Sequence, residues 1–275
     1  MRNCLTFFSF IFSGFFLQAQ QGQASATTTV DSLVSAQQIN GYQRILNNLS
    51  GIPQGVTIGG YGEILYNQPT NLTGELDVQR LVMLFGYKFD DRVQFVTEIE
   101  FEHVKEVYVE QAFVNYSVAN GLNIRAGLML VPMGIIAEFH EPTTFNGVER
   151  PSMDKYIVPT TWREIGIGVA GRVDALSFRY QAYLFNGFLS HDGQEGKLIG
   201  SSGLRGGRQK GAESVVDQFN LSAKFDYYGI PNLRLGLSGY SGRTQAVDGQ
   251  NAIPGSDIGV AMLGLDARFK WQNLS

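Results

Sequence analysis

The sequence contains one cysteine, Cys4, in 275 residues, so it cannot be a disulfide scaffold. Its three histidines, His103, His140 and His191, are scattered, and no H-E-x-x-H occurs. No Ser-His-Asp set can be nominated, so the sequence predicts no catalytic residue, no metal site and no cofactor. Charge is scarce: 17% of residues are charged, against roughly 25% in typical soluble domains. With 21 Lys+Arg against 25 Asp+Glu the net charge is −4, which argues against a nucleic-acid binder. The low net charge and 44% hydrophobic content also exclude intrinsic disorder. After the first residues, no apolar run is long enough for a transmembrane helix, which needs about 20 residues.

The chain is instead rich in glycine (33), phenylalanine (19) and tyrosine (12), with only eight prolines. That composition fits an all-β protein with many turns. Residues 1–19 have the form of a secretory signal: Arg2, an apolar stretch over 5–17, then small residues. Cleavage after Ala19 or after Ala26 fits. Either would remove Cys4 and leave an exported chain without cysteine. Residues 20–54 read as a periplasmic N-terminal segment. Tyr42, Ile45, Leu46 and Leu49 recur at helical spacing there, predicting a short helix over 39–49 that stops at Gly51-Ile52-Pro53.

From residue 55 the hydrophobic period is two. Strands are predicted over 55–66, 77–89, 92–103, 107–118, 122–133, 163–173, 176–186, 216–228, 232–242 and 258–271. These are longer than the ~5–6 residues usual in soluble sheets and match the ~9–11 that a tilted membrane strand needs. One face is apolar, as with Leu81, Met83, Phe85 and Tyr87, or Phe95, Ile99 and Phe101. The other is polar, as with Arg80 and Lys88, or Glu98, Glu100 and Glu102. On 107–118 either Glu110 or Gln111 must take the apolar face, and the pattern does not say which. Short connections at 90–91, 119–121, 174–175 and 229–231 alternate with long ones at 67–76, 134–162, 187–215 and 243–257. Only 104–106 breaks the alternation. Aromatics (Tyr87, Phe89, Phe225, Tyr227, Phe269, Trp271) lie beside the short turns. These are features of an antiparallel transmembrane β-barrel of the outer membrane, occupying 55–275.

Inward basic residues (Arg80, Lys88, Arg92, Arg125, Arg172, Arg179, Lys224, Arg234, Arg268, Lys270) slightly outnumber inward acids (Glu63, Glu98, Glu100, Glu102, Glu164, Asp226, Asp266). Arg80, Arg125, Arg172, Arg179, Glu98, Glu100 and Glu102 are the pore-wall candidates. The loop 134–162 mixes charges (Glu138, His140, Glu141, Asp154) with apolar Phe139, Phe145, Ile157 and Trp162. That mixture suits a loop folded into the lumen. Glu149, Arg150, Lys155 and Arg163 are its candidate pore contacts. Gly166-Ile167-Gly168-Val169-Ala170-Gly171 has the spacing of a dinucleotide fingerprint, but it lies within a predicted strand and not between strand and helix.

Gly127-Leu128-Met129-Leu130-Val131-Pro132-Met133-Gly134, Phe145-Asn146-Gly147-Val148-Glu149-Arg150 and Glu164-Ile165-Gly166-Ile167-Gly168-Val169 resemble the phosphate-selective porin O/P family. That pattern is a strand ending G-Q-F-K-x-P-F-G, a loop with F-x-E-R and a strand with I-G-V. Gly127, Pro132, Gly134, Phe145, Glu149, Arg150 and Gly168 map onto it. The Gln-Phe-Lys of the pattern stands here as Leu128-Met129-Leu130, and one extra residue separates Phe145 from Glu149. The resemblance implies a non-enzymatic porin in the cell outer membrane, surrounded by its lipids and passing small hydrophilic solutes or anions, phosphate among them. It is compatible with a homotrimer. It also implies about sixteen strands where ten are counted. Gln272-Asn273-Leu274 reads as a further short turn, so the sequence is expected to be a C-terminal truncation of a larger barrel. Two other readings are an outer-membrane barrel enzyme, a lipase or protease, and a secreted β-sandwich binding module.

Overall fold

The computed structural model describes residues 6–13, 40–145, 147, 150–152, 157–159, 161–247 and 253–269. It is an all-β chain with one α-helix among these residues. The elements are β1 (Thr6–Ser13), α1 (Gly41–Ser50), β2 (Gly55–Gln68), β3 (Glu75–Lys88), β4 (Val93–Glu102), β5 (Glu106–Ala119), β6 (Leu122–Leu130), β7 (Arg163–Val173), β8 (Phe178–Phe185), β9 (Leu189–His191), β10 (Asn220–Ile230), β11 (Leu233–Arg243), β12 (Gln245–Ala246) and β13 (Gly259–Phe269). They fall into two compact units, 1–110 with 141–150, and 111–140 with 151–275.

All ten predicted strands are present, within a few residues of their expected ends. β6 stops at Leu130 instead of residue 133. There the Val131 N–H turns to the Trp162 carbonyl (2.9 Å), Pro132 has no N–H to give, and Gly134 takes a positive φ of 69°. β10 begins four residues late, at Asn220. The 174–175 turn widens into a 3₁₀ turn, Asp174–Leu176, closed by Ser177 in the left-handed region.

In the first unit β1, β2, β3 and β4 pair antiparallel in chain order. The Asp90 carboxylate closes the tight turn between β3 and β4 by accepting from the N–H groups of Arg92 and Val93, at 2.7 and 2.8 Å. β1 was not expected. The apolar half of the predicted leader supplies aromatic and β-branched residues and pairs with β2 from Thr6 opposite Gln68 to Ser13 opposite Tyr61. Cleavage after Ala19 or Ala26 would remove this strand and leave that edge of β2 to another.

The second unit is a meander in which β5, β6, β7, β8, β10, β11 and β13 pair antiparallel in that order. A separate parallel pair, β9 with β12, joins its two long loops. Three buried amides fix that end. Gln245 accepts from Asp217 N–H and donates to the Gln218 carbonyl, Gln209 clasps Val215 from both sides, and Asn220 bridges Tyr240 and Arg243.

Burial is inverted relative to a water-soluble sheet. Leu81 is 48% exposed and Leu265 80%, while Glu98 is 2% exposed and Lys224 1%. The alternation holds strand by strand: in β11, Arg234, Gly236, Ser238 and Tyr240 are buried and Leu235, Leu237 and Ser241 exposed. A sheet folding around an apolar core would do the reverse, so the exposed face is suited to hydrocarbon. The aromatics by the short turns stand on that face: Phe89, Phe225, Tyr227 and Phe269 are exposed, and Phe178 stacks on Phe225 at 5.5 Å. Trp271 lies outside the described residues. β5 corrects the expectation about Glu110 and Gln111, because both are buried. The strand's phase slips by one residue between them, so neither meets the apolar face.

The predicted helix is α1. Asn40 caps it by accepting from Gln43 N–H (3.1 Å), and Gly51 ends it. It rests on the buried face of β2, β3 and β4, the face expected to line the polar side. The socket is an apolar island formed by Val82, Leu84 and Val96, which face Ile45, Leu46 and Leu49. Gly86 is its floor. A Cβ there would lie 2.3 Å from Ile45 Cγ2 and 2.8 Å from Leu49 Cδ1. Lys88 Nζ then donates to the Ile52 carbonyl (2.7 Å), and the Glu141 carboxylate accepts from Gly41 N–H at the other end.

Gly86→Val keeps β propensity but overpacks this contact, at a cost of about 1–3 kcal/mol. Limited proteolysis should then cut within 41–50 while the strands stay protected. Unchanged protection of α1 would show that the socket does not hold it.

Candidate functional site: the buried polar faces

The buried face of the second unit carries a connected charge network. Asp226 on β10 binds Arg179 on β8 (2.9 Å) and Arg234 on β11 (3.1 Å). The segment 131–140, after β6, folds back over these strands. Glu138 places its carboxylate 2.8 Å from Lys224 Nζ and accepts from Gln181 Nε2 at 2.6 Å. Gly134 is held from both sides, donating to Ser238 Oγ (3.0 Å) and accepting from Lys224 Nζ (2.6 Å). Phe139 is buried against two guanidinium groups, with Arg234 4.8 Å and Arg268 5.1 Å from its centroid. The chain of contacts extends through Gln181, which accepts from the Tyr183 hydroxyl (3.1 Å), to Arg125, which donates to that hydroxyl (3.3 Å) and to Asn115 (2.9 Å).

Burial alone would push the Glu138 carboxyl up. Lys224 foremost, with Arg179 and Arg234, outweighs it and holds the group well below the ordinary glutamate range. Near the start of β7 Glu164 is fully buried and accepts from Trp162 Nε1 (3.3 Å), Asn186 Nδ2 (2.9 Å) and Gln209 N–H (3.3 Å). Trp162 stacks on Phe188 at 4.4 Å and tilts against Tyr240 at 4.7 Å. Phe139 and Trp162 of the long loop thus pack while Glu138 pairs, and Ile157 is exposed.

In the first unit Arg80 bridges Glu63 (2.9 Å) and Glu100 (3.1 Å), and Glu98 is buried on the same face. Glu102 is half-buried opposite Arg80.

The structure therefore places Arg80, Arg125, Arg179, Glu98, Glu100 and Glu102 on the expected face. Arg172 is corrected: its side chain is 64% exposed at the rim of β7 and pairs with Asp174 at 3.0 Å. Arg92 is likewise exposed, in the turn before β4. Arg163 is buried beside Glu164, at the base of the loop. Arg150 is half-buried and lies over the Phe145 ring, 5.6 Å from its centroid. Glu149, Lys155 and Lys270 lie outside the described residues. The Gly166–Gly168 motif is inside β7, as expected, and opens no helix. Cross-strand aromatics occupy the missing side chains' space: a Cβ on Gly166 would meet Phe185 at 2.4 Å, and one on Gly168 would meet Tyr183 at 2.7 Å.

Sequence reasoning missed Gln181 and the pairing of Glu138 with Lys224. The signal for the pairing was a lone acid among Phe139 and its apolar neighbours, facing strands with surplus lysine and arginine. It also missed the α1 socket, although β3 is apolar on both faces from Leu81 to Phe85.

The profile of the phosphate-selective porin O and P family matches residues 61–255, and the chain belongs to that family. A protein of Aquifex aeolicus (strain VF5), named only as uncharacterized, is 39% identical over 210 residues, or 73% of this chain and 47% of that protein. The chain thus spans about half the length of this relative. Among solved structures, OmpTdeltaL8, a loop L8 deletion mutant of the outer membrane protein OmpT of Vibrio cholerae, is similar with a TM-score of 0.35 and 9% identity. The match covers 78% of this chain and 77% of that one. Family membership and the inverted burial together make this an outer-membrane β protein.

Glu138→Gln leaves Lys224 buried without its counter-charge, which should destabilise the fold by about 3–5 kcal/mol. The acid response should change too. Unfolded glutamate titrates near 4.5 and folded Glu138 lower. The stabilisation from the pair is therefore complete above that range and is lost as pH falls through the lower, folded value. Unfolding of wild type and Glu138→Gln across pH 2–7, an experimental range of about five units, checks this. The gap between them should be full at neutral pH and narrow progressively below the unfolded value as the pH approaches about 2.

Proposed function

We propose that the protein is a passive porin for small hydrophilic solutes, with no reaction of its own. The observation that carries this reading is the set of buried strand faces lined by paired ions of both signs, opposite faces fit for lipid. Family membership supports it. In such a pore the segment 131–140 is a fixed constriction, pinned through Glu138, Gly134 and Phe139, and α1 narrows the first unit's wall. Both act by size, charge and hydrogen bonding.

Inorganic anions are the favoured solutes in this proposal. Arg179, Arg234, Arg268 and Lys224 gather on one wall, and Arg150 lies on the long loop. Phosphate is a weaker choice than chloride-sized anions. The position equivalent to the pattern's lysine is Leu130, a buried apolar residue paired across to Arg163. The enzyme reading has less to stand on: the charged clusters on these faces are ion pairs and amide bonds.

Planar-bilayer recording of the full-length chain tests the proposal. It should form ohmic channels with a modest chloride-over-potassium preference, and phosphate should carry less current than chloride. Arg150→Glu should reduce that preference by about two- to threefold, because a charge reversal of ~1 kcal/mol or less is what a half-exposed site supplies. Absence of channels would defeat the porin reading. Unaltered selectivity in Arg150→Glu would leave Arg150 the structural role of packing on Phe145.

A further inference from the structure

We propose that residues 205–211 of the long loop 187–215 clamp the phosphate headgroup of an anionic outer-membrane lipid against the outside of the strand wall. This segment steps over the end of β7. Gln209 N–H donates to Glu164 (3.3 Å), which is fully buried on the inward face. Two residues on, Gly211 lies against the opposite face of the same strand: a Cβ there would be 2.7 Å from Leu128 Cδ1 and 3.6 Å from Ile165 Cγ1. Leu128 and Ile165 are cross-strand partners, on the side where Ile165 and Ile167 are 45% and 51% exposed. The chain thus passes from the polar side of the wall to the side that meets lipid. Lys210 and Gly211 make the turn, with left-handed φ values of 59° and 76°.

The charge of the segment is one-sided. Arg205, Arg208 and Lys210 fall within six residues, and Glu213 is the single acid in 205–213. Arg205 and Lys210 are exposed. Arg208 is half-buried and tied down, donating to the carbonyls of Arg205 (3.2 Å) and Thr161 (3.4 Å). β7 starts at the long-loop rim, which in outer-membrane barrels is the outer one, so these cations stand where headgroups meet hydrocarbon. Farther along the same face an acyl chain meets Ile167, Leu184 and Leu221, which are aligned across β7, β8 and β10 and all exposed. Guanidinium and ammonium groups bind phosphate oxygens through charge-assisted hydrogen bonds, and basic segments at a membrane surface are drawn to anionic lipid. A phosphate joined to an acyl chain engages both surfaces, whereas a free anion engages only the first. The inference rests on the outer-membrane location and not on solute passage, so it stands whether or not the chain conducts.

Lipid competition at one labelled position tests the clamp. In the full-length chain with Cys4→Ser, Ile167→Cys carries an environment-sensitive fluorophore in phosphatidylcholine bilayers. Part of the lipid is brominated, either as phosphatidic acid or as phosphatidylcholine. Quenching should report a preference for phosphatidic acid of about tenfold or more, and Arg205→Gln and Lys210→Gln should each lower it by about fivefold, the share of one cation at an anionic surface. Gly211→Val keeps every charge but disfavours the turn, so it should lower the preference too. Brominated phosphatidylcholine should quench all variants alike, which shows that the strand wall still meets lipid. A label at Leu235, near a short turn, should show no preference, and replacing chloride by inorganic phosphate at equal ionic strength should leave the preference at Ile167 intact. Parity of the two lipids at Ile167, an equal preference at Leu235, an unchanged preference in the Arg205→Gln, Lys210→Gln double variant, or its loss to inorganic phosphate would overturn the proposal.

Discussion

A charged side chain cannot face hydrocarbon cheaply, and a backbone N–H cannot face it unpaired. These two costs account for most of what the structure shows. Long antiparallel strands satisfy the backbone through their neighbours. A period of two then sends most charges to one face and most large apolar side chains to the other. Lys224 and Glu98 are buried while Leu265 is exposed for this one reason. The buried charges in turn need partners, which they find across strands, as Arg80 does in Glu63 and Glu100, or from a returning loop, as Lys224 does in Glu138.

The loop's apolar residues follow from the same constraint. Between Glu138 and Lys224 the interaction is strong because both are buried away from water, beside the buried Phe139. Phe139 also has a direct use, presenting its ring to Arg234 and Arg268, whose like charges would otherwise face each other. Segment 131–140 is therefore a part of the wall in energetic terms. A solvated loop could not hold Gly134 between Ser238 and Lys224.

The alternation was legible in the sequence because hydrocarbon imposes it residue by residue. The ten long strands from residue 55, most turn positions and most wall residues followed from it, and α1 was legible from its own helical spacing. What escaped were features set by tertiary contact. Glu110 and Gln111 are both buried because β5 slips phase, and no local pattern marks a slip. The socket under α1 breaks the polar rule on one face of β3 because a helix covers it, and the apolar run from Leu81 to Phe85 marks the place without naming what covers it. β9 and β12 are too short to show a period, and they pair through contacts between distant loops, such as Gln245 N–H to the Phe188 carbonyl and Ser190 Oγ to the Gln245 carbonyl. Arg172 has the parity of the wall but sits so near the turn that its side chain reaches Asp174 and solvent.

The most direct test is the facing of a single strand. The chain expected after leader removal has no cysteine, so single cysteines at 234–238 can carry an environment-sensitive fluorophore in lipid bilayers containing brominated acyl chains. Labels at 235 and 237 should be strongly quenched and those at 234, 236 and 238 weakly, repeating the exposure of Leu235 and Leu237 and the burial of Arg234, Gly236 and Ser238. Equal quenching at all five positions, or quenching with the opposite phase, would contradict the account.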